Sequence, residues 1–372
     1  MKLTIERSAL LRSLGHVQSV VERRNTIPIL SNVRIEAGPE GLSLNATDMD
    51  IEIAETATAD CAAPGATTAS AHTLYEIVRK LSDGADVELS IGGDAGVLQL
   101  KSGRSRFALS CLPVEDFPAM SQGEYSHGFT LTAADLRGLI DRTRFAISTE
   151  ETRYYLNGIH MHATQSDGVD VLRAVATDGH RLARVEVPLP EGAAGMPGII
   201  IPRKAVQELR KLIDETGMDV GISLSEHKIR FAFDDTILTS KLIDGTFPDY
   251  ERVIPPDNDK VLEVECKVLS SAVDRVSAIS VEKSRAIKMA MDKGMVTLSA
   301  SSPDAGSAEE EVEASFSADP IEIGFNYRYL LDILGQMEGD AVRMTFSDSA
   351  SPSVLRDVAD GSAVYVLMPM RV

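Results

Sequence analysis

The sequence predicts an α+β fold of three similar domains, each with two helices packed on antiparallel sheet. Two observations carry this. The stretch Phe129 to Ser148 opens with strand-like alternation, passes a Thr-Ala-Ala-Asp helix start, and sets Leu136, Leu139, Ile140, Thr143 and Ile147 at helical spacing. The same order of strand then helix opens the chain at Leu3 and recurs at Leu262, so that Leu10, Leu136 and Leu269 coincide at offsets of 126 and 133 residues. Repeats of that length are whole domains, because solenoid units run to only about 20 to 50 residues. Each repeat also holds a second amphipathic stretch among short alternating segments, the pattern of helices laid on one face of antiparallel sheet.

In the first repeat, apolar periodicity carries the opening helix to about Val21, and Asn25-Thr-Ile-Pro28 breaks it after Arg23-Arg24. Alternation predicts strands over 32–36, 42–46 and 50–56, with turns at Gly41 and Pro64-Gly65. Leu74 to Leu81 is the second helix, stopped by Asp83-Gly84, and three short strands fill Val87 to Leu112. The second repeat has its second helix over Arg203 to Ile213 and strands on either side of Glu226 to Lys228. The third is helical from Cys266 toward Lys288 and again at Tyr329 to Met337, with closing strands up to Leu367. Pro-rich connectors at 113–128 and 244–260 divide the chain into domains 1–125, 126–255 and 256–372.

The net charge of −19 argues against a nucleic-acid partner until its distribution is considered. Six helix-like stretches carry a surplus of +11, so everything else sums to −30. Helices that gather positive charge suit a polyanion; the plain alternative is that Lys and Arg are good helix formers. Domains joined edge to edge in a row leave two open strand edges, an aggregation hazard that two chains meeting head to tail remove by closing a ring of six domains. Arg104, Arg106 and Phe107 late in the first repeat, and Glu309, Glu310, Glu311 and Glu313 in the third, are complementary ends for such a contact. Charges at Glu6, Arg7 and Arg12 interrupt any leader-like apolar block, and no membrane-length apolar run occurs, so a cytoplasmic protein is expected.

Cys61, Cys111 and Cys266 stand singly, which points to reduced structural thiols rather than disulfides or zinc ligands. No phosphate-loop, dinucleotide-binding, zincin or nucleophile-elbow signature is present. Thr177-Asp-Gly-His-Arg-Leu182 concentrates a carboxylate, an imidazole and a guanidinium, but Asp-Gly is a hairpin signal and no nucleophile accompanies it. His160 and His162 alternate on a strand and read as an exposed pair rather than a metal site. No catalytic residue, metal or cofactor is expected.

Five motifs, MKLTIER at the N-terminus, Arg153-Tyr-Tyr-Leu-Asn-Gly158, Thr177-Asp-Gly-His-Arg-Leu182, Phe247-Pro-Asp-Tyr250 and Tyr365-Val-Leu-Met-Pro-Met-Arg371, together resemble the bacterial beta sliding clamps, processivity subunits of DNA polymerase III. The resemblance spans the whole chain in order. It implies the DNA-clamp fold, a ring-shaped head-to-tail homodimer around double-stranded DNA, no catalysis, and a nucleoid-associated cytoplasmic location. It also implies a pocket that takes short linear peptides from the replicative polymerase, the clamp loader and other polymerases and repair proteins. Matched residue by residue, that pocket comprises Leu156, Thr177, Gly179, His180, Arg181, Leu182, Pro248, Arg252, Val253, Val366, Met368, Pro369, Met370 and Arg371. DNA contacts fall on Arg24, Tyr154, Tyr155, Lys204, Asn326 and Tyr329, and Ile279 joins the Arg104 to Phe107 and Glu309 to Glu313 interface. Ser284 and Pro352 depart from the family pattern. The other reading is a three-domain peptide-binding scaffold that does not encircle DNA.

Overall fold

The computed structural model describes residues 1–92, 96–118, 120, 123–214, 217–280 and 285–371; Ser284 lies outside them. The first repeat runs β1 (Lys2–Glu6), α1 (Arg7–Gln18), β2 (Asn32–Gly38), β3 (Gly41–Thr47), β4 (Ile51–Ala57), β5 (Asp60–Ala63), β6 (Gly65–Ser70), α2 (Ala71–Arg79), β7 (Asp86–Ile91), β8 (Val97–Ser102) and β9 (Ser105–Ser110). The second runs β10 (His127–Leu131), α3 (Ala133–Arg144), β11 (Gly158–Ser166), β12 (Val169–Thr177), β13 (Arg181–Pro188), β14 (Ile199–Pro202), α4 (Arg203–Ile213), β15 (Val220–Leu224), β16 (Lys228–Phe233) and β17 (Thr236–Lys241). The third runs β18 (Lys260–Glu265), α5 (Cys266–Ser277), β19 (Ala286–Asp292), β20 (Met295–Ser302), β21 (Gly306–Glu313), β22 (Ser315–Phe316), β23 (Ile321–Asn326), α6 (Tyr327–Leu334), β24 (Ala341–Phe346), β25 (Ser353–Asp357) and β26 (Ala363–Leu367).

Local chemistry explains the helix starts. Thr132 accepts from the Asp135 amide (3.0 Å) while its hydroxyl donates to the Asp135 carboxylate (2.7 Å), so the start signal is a side-chain N-cap held in place by Asp135. Glu6 caps α1 through the amides of Ser8 and Ala9, and Asn326 caps α6 through that of Arg328. Leu10, Leu136 and Leu269 are all fully buried, the same first-turn core position used three times. The opening helix stops at Gln18 rather than Val21: the Ser19 amide turns back to the His16 carbonyl (3.3 Å) and its hydroxyl donates there too (2.7 Å). Similarly, α5 ends at Ser277, and residues 286–292 form a strand. The helices as formed among the described residues therefore hold a surplus of +7, smaller than +11, because Glu22, Arg23, Arg24, Lys80, Arg285 and Lys288, together +4, lie beyond them. No helix among the described residues is long and apolar enough to cross a membrane.

The chain condenses into two compact units. One comprises Met1–Leu136, Glu191–Ala193 and Lys204–Leu242; the other comprises Arg137–Pro190, Ala194–Arg203 and Ile243–Val372. The first contains a five-stranded sheet, β5-β1-β7-β8-β9, and an eight-stranded sheet, β10-β15-β16-β17-β4-β3-β2-β6. The second contains a nine-stranded sheet, β14-β11-β12-β13-β26-β25-β24-β18-β22, and a four-stranded sheet, β21-β20-β19-β23. Both long sheets thus span two repeats. In one, β17 pairs antiparallel with β4 (Thr236↔Glu55 to Ser240↔Ile51); in the other, β26 pairs with β13 (Leu367↔Arg181 to Ala363↔Val185). Each joint sets the last strand of one repeat against the third strand after the first helix of the preceding repeat.

Candidate functional site

The β12–β13 turn organises the expected peptide pocket. Thr177 donates its hydroxyl to the Arg181 carbonyl (2.7 Å) and accepts from the Gly179 amide (3.1 Å). Asp178 accepts from the amides of His180 (2.9 Å) and Arg181 (3.1 Å). Gly179 sits at φ +86, where a Cβ would also lie 2.5 Å from the Arg153 guanidinium. Asp178 is thus spent on holding a turn. No side-chain bond ties it to His180, so the motif has turn chemistry rather than acid–base chemistry.

Arg181, expected at the pocket edge, is only 10% exposed. It donates to Asp178 (3.1 Å), to the Phe145 carbonyl (2.6 Å) and to Asp332, and it stacks on the rings of Tyr329 (4.3 Å) and Phe145 (5.1 Å). It therefore acts by fixing the turn against α6. Tyr329 also lies over His180 (6.1 Å), which sets this expected DNA contact beside pocket residues. Asn326 is buried with its side-chain oxygen committed to capping α6.

Leu156, Leu182 and Val366 meet in one buried cluster with Val175, Ile200, Phe247 and Tyr250. Above it, the Met368 amide donates to the His180 carbonyl (2.9 Å) and the Met370 amide to that of Gly324 (2.8 Å), so the C-terminal segment is pinned rather than frayed. Met368 is 37% exposed; Pro248, Arg252, Val253 and Arg371 are exposed beside half-buried Pro369 and Met370. Arg252 pairs with Asp249 at 2.6 Å but keeps most of its side chain in water. Pro352 offers its carbonyl to Asn258 (3.0 Å).

Behind this wall lies a network whose connections the sequence did not reveal. His160 and His162, expected as an exposed pair, are stacked at 4.8 Å, and His160 lies flat on Phe247 at 4.7 Å. His160 donates through Nδ1 to the Ile199 carbonyl (3.0 Å). Tyr250 takes a hydrogen bond from Arg173 (2.7 Å) and stands 2.9 Å from His162, while Arg173 also holds Glu186 and Glu251. Burial, then the neighbouring His162, push His160 down to about 4; burial and Arg173 lower His162 as well. Two neutral rings thus support Phe247 and Tyr250.

Of the remaining expected contacts, Tyr155 packs against the buried cluster of Leu156, Leu182 and Val366. Arg24 is exposed, Tyr154 is 53% exposed with its ring edge-on to half-buried Tyr155, and Lys204 is tied to Asp48 (2.6 Å), Glu22 and the Val20 carbonyl (3.2 Å). Arg104 is exposed in the turn before β9, which carries exposed Arg106 and half-buried Phe107. On β21, Glu309, Glu311 and Glu313 are exposed and Glu310 is paired with Arg275 (2.5 Å); Ile279 is half-buried just past α5. Both β9 and β21 end their sheets among the described residues.

Comparison with known proteins agrees along the full length. Models of the DNA polymerase III beta subunit match the N-terminal domain at residues 1–121, the central domain at 130–249 and the C-terminal domain at 251–371. The beta sliding clamp of Caulobacter vibrioides strain NA1000 is 55% identical over 372 residues, covering all of both chains. The chain belongs to the DNA polymerase III beta subunit family. A crystal structure of the C. crescentus beta sliding clamp superposes with a TM-score of 0.98, at 55% identity, covering 100% of this chain and 99% of that one. A DNA polymerase III subunit beta from Bartonella birtlesii bound to griselimycin gives 0.97 at 51% identity, with both chains fully covered. The α+β clamp fold is therefore established, and the chain is a non-catalytic processivity clamp rather than an enzyme.

One feature of this clamp chain escaped sequence reasoning. The β3–β4 turn, Thr47-Asp-Met-Asp-Ile51, repeats the pocket turn bond for bond: Thr47 donates to the Ile51 carbonyl and accepts from the Met49 amide, and Asp48 accepts from the amides of Asp50 and Ile51. Met49 takes the left-handed place of Gly179, at φ +80. The shared Thr-Asp was visible in the sequence; its position beside a second strand joint was not.

Proposed function

We propose that two copies of this chain associate head to tail into a ring that encircles double-stranded DNA and tethers DNA-processing proteins through the pocket at the β13–β26 joint. One observation carries the reading. The two joints inside the chain use the edge pairs β17–β4 and β26–β13, and the strands in the equivalent places that lack such a neighbour are β9 and β21. A third joint of the same kind pairs β9 of one copy with β21 of the other. It brings Arg104, Arg106 and Phe107 to Glu309, Glu310, Glu311 and Glu313, with Ile279 at the flank. Domain boundaries near 125/126 and 255/256 suit this arrangement; the first falls between two family-model spans and the second a few residues inside the C-terminal one.

The peptide site joins an apolar floor (Leu156, Leu182, Val366), adaptable methionines (Met368, Met370) and a polar rim (Thr177, His180, Arg252, Arg371), which suits short linear segments of the replicative polymerase, the clamp loader, other polymerases and repair proteins. DNA contact through Arg24, Tyr154, Tyr155, Lys204, Asn326 and Tyr329 reads phosphate and not base edges, so it is independent of sequence and weakened by salt. The work of such a clamp places it on DNA in the cytoplasm. The test is to load the protein onto nicked circular plasmid with a clamp loader and then linearise the DNA. A clamp leaves over the ends; retention on linear DNA overturns the ring.

A further inference from the structure

The floor of the peptide pocket runs on into arginines. Leu182 on β13 lies opposite Val366 on β26, and Val366 lies opposite Val354 on β25; Arg184 lies opposite Val364. Side chains alternate along a strand, so Leu182, Arg184, Val364, Val366, Val354 and Arg356 share one face of the sheet. The other face, with Arg181 and Tyr365, meets Tyr329 of α6 and Phe145. We propose that Arg184 and Arg356 bind a carboxylate of the docked peptide and so select segments that carry an acidic group beside their apolar residues. This rests on the pocket at the β13–β26 joint and adds a specificity to it.

These arginines are short of counter-charge. Arg173 holds Glu186 at 2.7 Å and Glu251 at 2.5 Å. The Arg184 Nε stands 3.4 Å from the same Glu186 oxygen, makes no hydrogen bond and is buried, a costly state for a donor. Burial lowers the Arg184 pKa; Glu186 opposes this, and Arg173 and Arg356 lower it further. Arg356 is exposed and lies directly opposite Arg343 on β24, a destabilising like-charge pair, and Arg343 takes Glu263 at 2.7 Å. Among the described residues the Arg356 side chain has no hydrogen bond or ion pair. Carboxylates are abundant in this chain, with 56 Asp and Glu to 37 Lys and Arg. Two arginines left with part of one carboxylate mark a place where the missing anion comes from a partner.

Spacing fixes which part of a peptide supplies it. Neighbours on one face of a strand are about 7 Å apart, as are side chains on one side of an extended peptide. A peptide residue seated on Leu182 and Val366 therefore sets the group two positions away over Arg184 and Val364, beside Arg356. The carboxylate is that of an Asp or Glu at that position or the C-terminus of a peptide ending there, and a guanidinium can meet either with two parallel hydrogen bonds.

Fluorescence anisotropy on the full-length protein tests this with four labelled polymerase-tail peptides that share their apolar residues. One is neutral and amidated; two are amidated and carry Asp two positions before or after the residue seated on the floor; the last is a free acid ending at the later position. At least one carboxylate-bearing peptide is expected to bind about tenfold tighter than the neutral one, with a gap that narrows as salt rises. A gain with Asp assigns the site to a side chain, and a gain with the free acid alone assigns it to a C-terminus. Arg356→Gln, at an exposed position, and Arg184→Gln, with circular dichroism as folding control, should each bring the tighter peptide to the affinity of the neutral one. Arg356→Glu should instead prefer a peptide with Lys at the same place. Equal binding of all four peptides, or a gain that survives Arg356→Gln, overturns the proposal and leaves the pocket standing; no binding by any of them overturns the pocket reading as well.

Discussion

The two strand joints share a turn and a register, yet only the second is the one we propose as a peptide surface. At the second, Gly179, Leu182 and Met368 give an open turn, an apolar floor and a soft wall. At the first, Met49, Glu52 and Lys241 stand in those places. Lys241 donates its amide to the Asp50 carbonyl (2.8 Å) as Met368 does to that of His180, but its ammonium also pairs with Asp50 at 3.0 Å. Glu52 takes the Met120 amide (3.1 Å), and burial raises its pKa despite that bond and those from its polar neighbours. Each turn is also braced by a cation bonded to its aspartate and to a carbonyl just past the first helix: Lys204 on Asp48 and Val20, Arg181 on Asp178 and Phe145. The joint is thus a structural device, and Gly179, Leu182 and Met368 are among the residues that suit the second one to the peptide proposed there.

The largest expected effect comes from removing what only the second joint has. Deleting residues 368–372 leaves β26 intact but removes both pinned methionines, so binding of a fluorescent polymerase-tail peptide should be abolished while circular dichroism and dimerisation are kept. Equal affinities would place the peptide elsewhere. A third joint between chains should fail when its charges clash. Arg104→Glu, Arg106→Glu and Phe107→Ala together are expected to weaken dimerisation by about a thousandfold or more, read by sedimentation. An undisturbed dimer would locate the contact on other strands.

Acid should act on the second joint through its histidines. Their folded pKa values lie below the ordinary value, so between about pH 6.5 and 4 the unfolded chain gains protons that the folded chain refuses, and stability falls as pH drops through that window. For His160 the loss reaches about 3 kcal/mol at most. Denaturant titrations at pH 7 and pH 4.5 measure it, with His160→Leu expected to flatten the profile; an equally steep variant would assign the acid response to other groups. A smaller effect should follow from closing the second turn to match the first. Gly179→Met, at a φ that Met49 already adopts, is expected to weaken peptide binding about tenfold, with a cost to folding because its Cβ displaces the Arg153 guanidinium. Unchanged affinity would remove Gly179 from the pocket.

Much of this architecture was legible in local sequence. The Thr132 to Asp135 cap, the threefold Leu10, Leu136 and Leu269 core and the Arg203 to Ile213 helix rest on contacts within a few residues or on burial pattern alone. Helix ends were less legible. Val20 and Val21 keep helical phase and are buried, but they reach the core from a turn. What the sequence hid is long-range: which edges pair, and what Arg181 does. Its residue type fitted a pocket rim, but its guanidinium is held by Asp332, 151 residues away, and by a ring sandwich assembled only on folding. The histidine stack was hidden for the same reason, since Phe247 and Tyr250 arrive from a distant connector.

The central claim is that β9 and β21 form a third joint closed between two copies. Amide hydrogen exchange above and below the dimer dissociation constant tests it most directly. Protection of Ser105–Ser110 and Gly306–Glu313 should rise together with concentration, while β4, β17, β13 and β26, paired within the chain, should exchange alike at every concentration. Concentration-dependent protection on other strands, with β9 and β21 exchanging unchanged, would contradict the account.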